Sequence, residues 1–225
     1  MARLIVNADD LGYDPEIDRG ILEAHRHGLV TSATAMVLTP FAARALAAAP
    51  ATLGVGLHAL LDPALGEAAA RAELLRQLDR FEALRGAPPT HLDSHKHAHA
   101  APALLAAVAE VASARGLPVR AMDAGLRAAL RGLGVPVTDA FLGDATLRPC
   151  WTHATLAEAL RDLPPGLTEL MAHPGYRPSH ARTSFGVERE VELAALTDEA
   201  ARALLRAGEV ELCSYAILGS RGRAG

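Results

Sequence analysis

Two adjacent carboxylates, Asp9 and Asp10, stand directly after the apolar run Leu4–Val6 and the pair Asn7–Ala8. Neighbouring carboxylates repel each other, and each loses hydration if it is even partly buried. Such a pair caps the following helix, stays in water on a turn, or serves a cation with one member and proton transfer with the other. Histidines recur in comparable places: His58 late in GVGLH, His95 after HLDS, His173 at the end of LTELMAH. Each of these segments reads as a short strand, so Asp9, Asp10, His58, His95 and His173 fall at the carboxyl ends of four strands. In parallel α/β folds that is the end where ligands bind. One shared site for a metal ion and proton transfer follows from the coincidence.

Strand alternation refines the picture. Gly54, Gly56 and His58 share one face, so the glycines leave room beside the histidine for a neighbour or ligand. His91, Asp93 and His95 share a face as well. The stretch HLDSHKHAH holds four histidines, at 91, 95, 97 and 99. A chain leaving a strand cannot wrap one ion with every alternate side chain, so one or two ligands from here are expected. Spacing does not separate His95 from His97, while His99 reads as a loop or supporting residue. In a regular strand Asp9 and Asp10 point apart, but at a strand end the turning chain can aim both at one pocket. His153 and His180 read as solvated, and His25 and His27 suit the C-terminus of a helix.

The elements that must position these residues alternate along the chain. Strand-like runs occupy 3–8, 32–38, 53–61, 89–94, 117–122, 135–142, 167–173 and 209–215. Helical patterns lie at 15–28, 41–49, 66–86, 101–115, 154–162 and 188–207, the last read as one helix stopped by Gly208. Such alternation implies parallel pairing with right-handed crossovers. A distorted (β/α) barrel with seven to eight mainly parallel strands is therefore expected, as a single domain over 1–225 with its core at 3–215.

Composition restricts the function classes. Half of the 225 residues are hydrophobic and the net charge is −4, which gives no electrostatic reason for nucleic acid or an anionic membrane as partner. Lys96 is the only lysine among many arginines. Cys150 and Cys213 form no close-spaced motif and read as thiols of a reducing compartment. The first apolar run is too short for a signal peptide, and no run approaches the roughly 18 apolar residues of a membrane span. A cytoplasmic location is expected.

NADDLG at 7–12, GILEAHRHGLVTSATAMV at 20–37, LGVGLHALL at 53–61, PTHLDSHKHAH at 89–99 and MAHPGY at 171–176 resemble the YdjC-like carbohydrate deacetylases. That family includes chito-oligosaccharide deacetylases and hopanoid-biosynthesis relatives. The resemblance implies a distorted (β/α) barrel and one divalent ion, zinc or magnesium, held by an Asp and two His. By position those are Asp10, His58 and His95, which decides between His95 and His97. Asp9 falls at the place of the catalytic base and His173 at that of a proton donor to the leaving group. For His173 the alternative is a supporting histidine bonded to Asp9 or a backbone carbonyl. Arg189 matches a family arginine that holds the base or the substrate. An acetylated carbohydrate as substrate and a homodimer are further family expectations.

Three departures bear on the substrate rather than the metal. Leu11 stands where the family has Phe, the 58–91 stretch is short, and Ala98, Ala100 and Ala101 replace bulkier groups. Two His and one carboxylate also make the facial triad of non-haem iron oxygenases, which is the rival enzyme reading. A third reading is a non-catalytic metal- or ligand-binding relative.

Overall fold

The computed structural model describes residues 2–144, 146–147 and 149–219. Its scaffold is a parallel sheet built from β1 (Ala2–Leu11), β2 (Ser32–Ala35), β3 (Gly54–Ala59), β4 (Leu92–Ser94), β5 (Ala140–Leu142), β6 (Gly166–Ala172) and β7 (Glu211–Leu212). The order is β4-β3-β2-β1-β6-β5, and β7 pairs with the first residues of β1. Two extended segments carry the curl round from β4 to β5. Arg120 N–H donates to Leu92 O, Val119 N–H to Pro136 O, and Asp139 N–H to Leu167 O. The result is a distorted barrel of the TIM type. Strand runs at 117–122 and 135–142 enter it mostly through such isolated bonds rather than full ladders.

The helices are α1 (Pro15–His27), α2 (Ala42–Ala48), α3 (Glu67–Arg85), α4 (Pro102–Arg115), α5 (Ala124–Gly132), α6 (His153–Arg161), α7 (Glu188–Thr197), α8 (Glu199–Ala207) and the short α9 (Ala216–Gly219). The expected single helix over 188–207 is two. Asp198 is extended (φ −69°, ψ 129°) and its side chain accepts Ala200 N–H as the N-cap of α8. Helix α5 was not foreseen; Asp123 caps it by accepting Leu126 N–H.

Alternation along the strands divides the molecule into two environments. Outward residues such as Leu4, Val6, Val55 and Leu57 join the large apolar core under the helices. Inward residues are largely polar: Asn7, Asp9, Thr34, His58, His91, Asp93 and Glu169, all buried. A small apolar floor of Ile5, Leu167, Tyr215 and Leu218 closes the barrel beneath them. Gly56 is needed here, because a side chain on it would collide with the His91 ring.

Helix α1 also anchors the loop that follows β6. Gly20 lies so close to Gly175 that a side chain on Gly20 would force the two segments apart. Asp14 caps α1 through Oδ1, accepting Glu16 N–H at 2.9 Å. Its Oδ2 accepts N–H groups from Ser179 (3.1 Å), His180 (2.6 Å) and Ala181 (2.9 Å). Burial disfavours the carboxylate, but these backbone donors outweigh it and hold the pKa below the usual range. That stabilisation is present above the ordinary carboxylate pKa and disappears as pH falls through the lower, folded value. Asp14→Ala is expected to cost about 2 kcal/mol at neutral pH. Urea denaturation should show this gap narrowing in acid; a gap that widens there would contradict the assignment.

Candidate metal centre and flanking acid–base groups

At its carboxyl end β1 contains a bulge: Ala8 pairs with Ala33, but Leu11 pairs with Ala35. The additional residue removes strict alternation, and Asp10 takes a left-handed conformation (φ 72°). Two neighbouring carboxylates can therefore face one site at different depths. The next turn is clamped, since Gly12 N–H donates to Asp18 Oδ1 and Gly12 O accepts the Thr39 hydroxyl.

Asp10, His58 and His95 meet at the barrel mouth. Asp10 Oδ1 lies 3.4 Å from His58 Nε2 and 3.5 Å from His95 Nδ1. These spacings are long for hydrogen bonds but match donors about 2.0–2.1 Å from a shared ion in tetrahedral array. Among the described residues Asp10 Oδ1 is buried without a hydrogen-bond partner. Its other oxygen accepts Arg189 Nη2 at 2.6 Å. Burial opposes the charge of Asp10, yet Arg189, His95 and His58 hold its pKa well below the usual range. His58 offers Nε2 to the bay because Nδ1 bonds Asp93 Oδ1 at 2.7 Å, the carboxylate support typical of metal-binding histidines. Burial disfavours a charged His58, but Asp93, Asp9 and Asp10 push its pKa up to about 9. One orphaned carboxylate oxygen facing two imidazole nitrogens fits a divalent cation.

Below the bay is a buried charge network centred on Arg120. Its Nη1 and Nη2 grip Asp9 at 2.7 and 2.6 Å, Nε donates to Glu169 at 2.8 Å, and Nη1 lies 2.8 Å from Asp93. Asp9, His58 and Asp93 also cluster tightly enough for an ion, but the guanidinium already occupies that space. The Tyr215 hydroxyl donates to Glu169, and the Tyr215 ring stacks on His91 at 3.8 Å. His99 bonds Ser94 Oγ and Arg120 O, steadying the arginine's backbone. Four carboxylates (Asp9, Asp10, Asp93, Glu169) thus share two guanidiniums, Arg120 and Arg189. Burial pushes the Glu169 pKa up to about 7, so the negative charge rests on Asp9, Asp10 and Asp93. With His58 neutral as a ligand, that charge still exceeds the charge of the two guanidiniums and suits a cation above it.

Asp9 is committed on most sides. Oδ1 accepts Arg120 Nη2 and Asn7 Nδ2, while Oδ2 accepts Arg120 Nη1 and points toward His173, whose Nε2 is 3.9 Å away. Burial raises the Asp9 pKa, and the Arg120 charge and hydrogen bonds more than reverse this, leaving it lowered. His173 follows β6, and its backbone N–H donates to Glu192 of α7 at 2.7 Å. Its ring leans on Phe185, with centroids 5.0 Å apart.

All six residues singled out in the sequence, Asp9, Asp10, His58, His95, His173 and Arg189, lie around one end of the barrel. A cavity of about 270 Å³ opens over the bay, lined by Asp10, Tyr13, His95, Lys96, His173 and Arg189 among others. Arg189 reaches Asp10 rather than Asp9, and its Nη1 is buried with no partner among the described residues. His97 and Lys96 are both left-handed (φ 54°), and the His97 ring turns toward Phe141. Sequence reasoning missed Arg120, Glu169 and Glu192 as members of this assembly. The available signal was a charge inside the apolar runs LPVRAM and LTELM, since charged side chains are buried only when paired.

The family model described as YdjC-like protein matches residues 3–66 and 60–207. A carbohydrate deacetylase of Brevibacillus brevis is 34% identical over 96% of this chain and 100% of its own length. A chitooligosaccharide deacetylase of Proteus mirabilis is 33% identical, covering 94% of this chain and 97% of its own. A solved structure from Enterococcus faecalis V583, described as a cellobiose-phosphate cleavage protein, superposes with TM-score 0.87 at 24% identity, over 96% of this chain and 98% of that one. A family 4 acetyl xylan esterase of Clostridium thermocellum has TM-score 0.59 at 12% identity, over 97% and 90% of the two chains. With one family model spanning most of its length and relatives at this level of identity, the chain belongs to the YdjC-like family.

Proposed function

We propose that this protein is a metal-dependent carbohydrate deacetylase that hydrolyses the acetamide of an N-acetylated sugar. The relatives named carbohydrate and chitooligosaccharide deacetylase, aligned over nearly the whole chain, support the reaction class. The observation that carries it is the bay of Asp10, His58 and His95 with Asp9 and His173 beside it. Imidazole and carboxylate donors suit zinc and also admit magnesium or another divalent ion. When bound, such an ion polarises the acetyl carbonyl and lowers the pKa of water.

The chain's own residues then divide the proton work. Asp9, kept ionised by Arg120, accepts the proton of the attacking water on Oδ2, the oxygen that points toward His173. The water oxygen joins the carbonyl carbon, the C–N bond breaks, and acetate leaves. His173 Nε2, on the same side as Asp9 Oδ2, delivers a proton to the departing amine. Arg189 lines the cavity and holds Asp10 through Nη2. Tyr13, Lys96 and Arg182 supply further polar groups at the cavity wall.

Purified protein reloaded with zinc, magnesium, manganese or cobalt is expected to release acetate from N-acetylglucosamine oligomers in at least one metal form. Coupled acetate detection across that panel checks it. No acetate from any combination, or oxygen uptake with an α-keto acid instead, would overturn the reading in favour of a binding protein or an oxygenase.

A further inference from the structure

A second set of donors lies behind His173, away from the bay. Cys150 Sγ, a His173 ring nitrogen and a Glu192 carboxylate oxygen all lie within 4.8 Å of one another. Three different elements supply them: the segment before α6, the end of β6, and α7. The backbone fixes each one. Glu192 Oε1 accepts Cys150 N–H at 3.0 Å and Oε2 accepts His173 N–H at 2.7 Å, so one carboxylate ties the other two together. Trp151 Nε1 donates to Met171 O at 2.7 Å, which fastens the cysteine's neighbour to β6.

These atoms retain capacity for a ligand. Each Glu192 oxygen has a second lone pair. His173 Nε2 faces Asp9, and at the other end of the ring Nδ1 is buried without a partner among the described residues. An unpaired buried nitrogen is destabilising until it finds a partner. The Cys150 thiol donates to Asp144 O at 3.0 Å, a weak bond that a cation can replace. Burial and then Glu192 push this thiol's pKa up to about 12. Both effects oppose a bare thiolate, and a cation held beside the sulfur reverses them.

We infer that Cys150, His173 and Glu192 form a second cation site, selective for a thiophilic divalent ion such as zinc or cobalt. Binding replaces the thiol proton, which passes to solvent, with a metal–sulfur bond; no redox change is involved. The sulfur separates this site from the bay, whose donors are nitrogen and oxygen. Magnesium fits the bay's chemistry but not a thiolate site. Occupation also fixes His173 through Nδ1 and withdraws the ring from proton delivery. That consequence rests on the deacetylase reading, whereas the site itself does not.

Cobalt titration of chelator-treated protein tests the site directly. Two equivalents should bind, and the second should bring a sulfur-to-cobalt charge-transfer band in the near ultraviolet. Cys150→Ser should lose the band and the second equivalent but keep the first, while Cys213→Ser should keep both. Should Cys150→Ser fail to fold, X-ray absorption of wild-type protein loaded with two zinc ions replaces it, with a zinc–sulfur distance near ~2.3 Å expected. Acetate release should fall about tenfold or more on the second equivalent of zinc, and not with excess magnesium. A single equivalent, a band that survives Cys150→Ser, or zinc without sulfur would overturn the site. A band without any acetate release from the one-equivalent form would leave the site standing and sink only the deacetylase reading.

Discussion

Replacing His58 or His95 with alanine is expected to remove the bound divalent ion, and with it the activity. The loss should exceed the roughly 10–100-fold that removal of an outer supporting partner produces. The geometry explains why a single change suffices. His58 supplies Nε2 only because Asp93 holds Nδ1, and Asp10 supplies Oδ1 only because Arg189 holds Oδ2. Neither supporting group can take the place of a missing ligand. Asp10 is better tested as Asp10→Asn, because alanine would leave the buried Arg189 charge without its carboxylate partner. The loss of the bay's one equivalent relative to wild type, measured by elemental analysis after dialysis, decides the matter. Full occupancy in a His58→Ala, His95→Ala double variant would place the ion elsewhere.

The route from sequence to this site was uneven for physical reasons. Short apolar runs and the residues at their ends were legible, because strand burial leaves a pattern within six to eight positions. The bulge at Asp9–Asp10 was not, since it depends on register with Ala33 and Ala35, residues far along the chain. Helix periodicity ran through Asp198 undisturbed because α7 and α8 each turn an apolar side to the protein; only the local cap divides them. Helix α5 was hidden by its shortness and its two glycines, Gly125 and Gly132.

The charge network shows a different limit. Arg120 and Glu169 each interrupt an apolar strand, a sign that both are buried and paired, yet nothing local names the partner. Their pairing spans 49 positions, and that of Arg120 with Asp9 spans 111. A family motif read by position reached the candidate ligands but not the guanidinium that holds Asp9. The interior of this barrel is polar because its contents serve the mouth above it, so the usual rule of apolar barrel filling would have pointed away from these residues.

That guanidinium shapes the second large effect, the loss expected for Asp9→Asn. Acetate release should fall roughly 10²–10⁴-fold, the contribution of a positioned proton acceptor, while metal content stays at the wild-type level. Asparagine cannot reproduce both contacts with Arg120. Whichever way the amide turns, its NH2 replaces an oxygen that accepts a guanidinium N–H, with Asn7 Nδ2 also donating to Oδ1. A donor then faces a donor in a buried place, at a cost of about 1–3 kcal/mol in stability. Arg120 still keeps Asp93 and Glu169, so the fold should survive. Turnover must therefore be read per folded, metal-loaded molecule, with denaturation measured alongside. Under that normalisation a structural role predicts near-normal turnover and a proton-transfer role predicts the large loss. If the metal leaves with the charge, Asp9 is itself a ligand and the division of labour between the two aspartates is wrong.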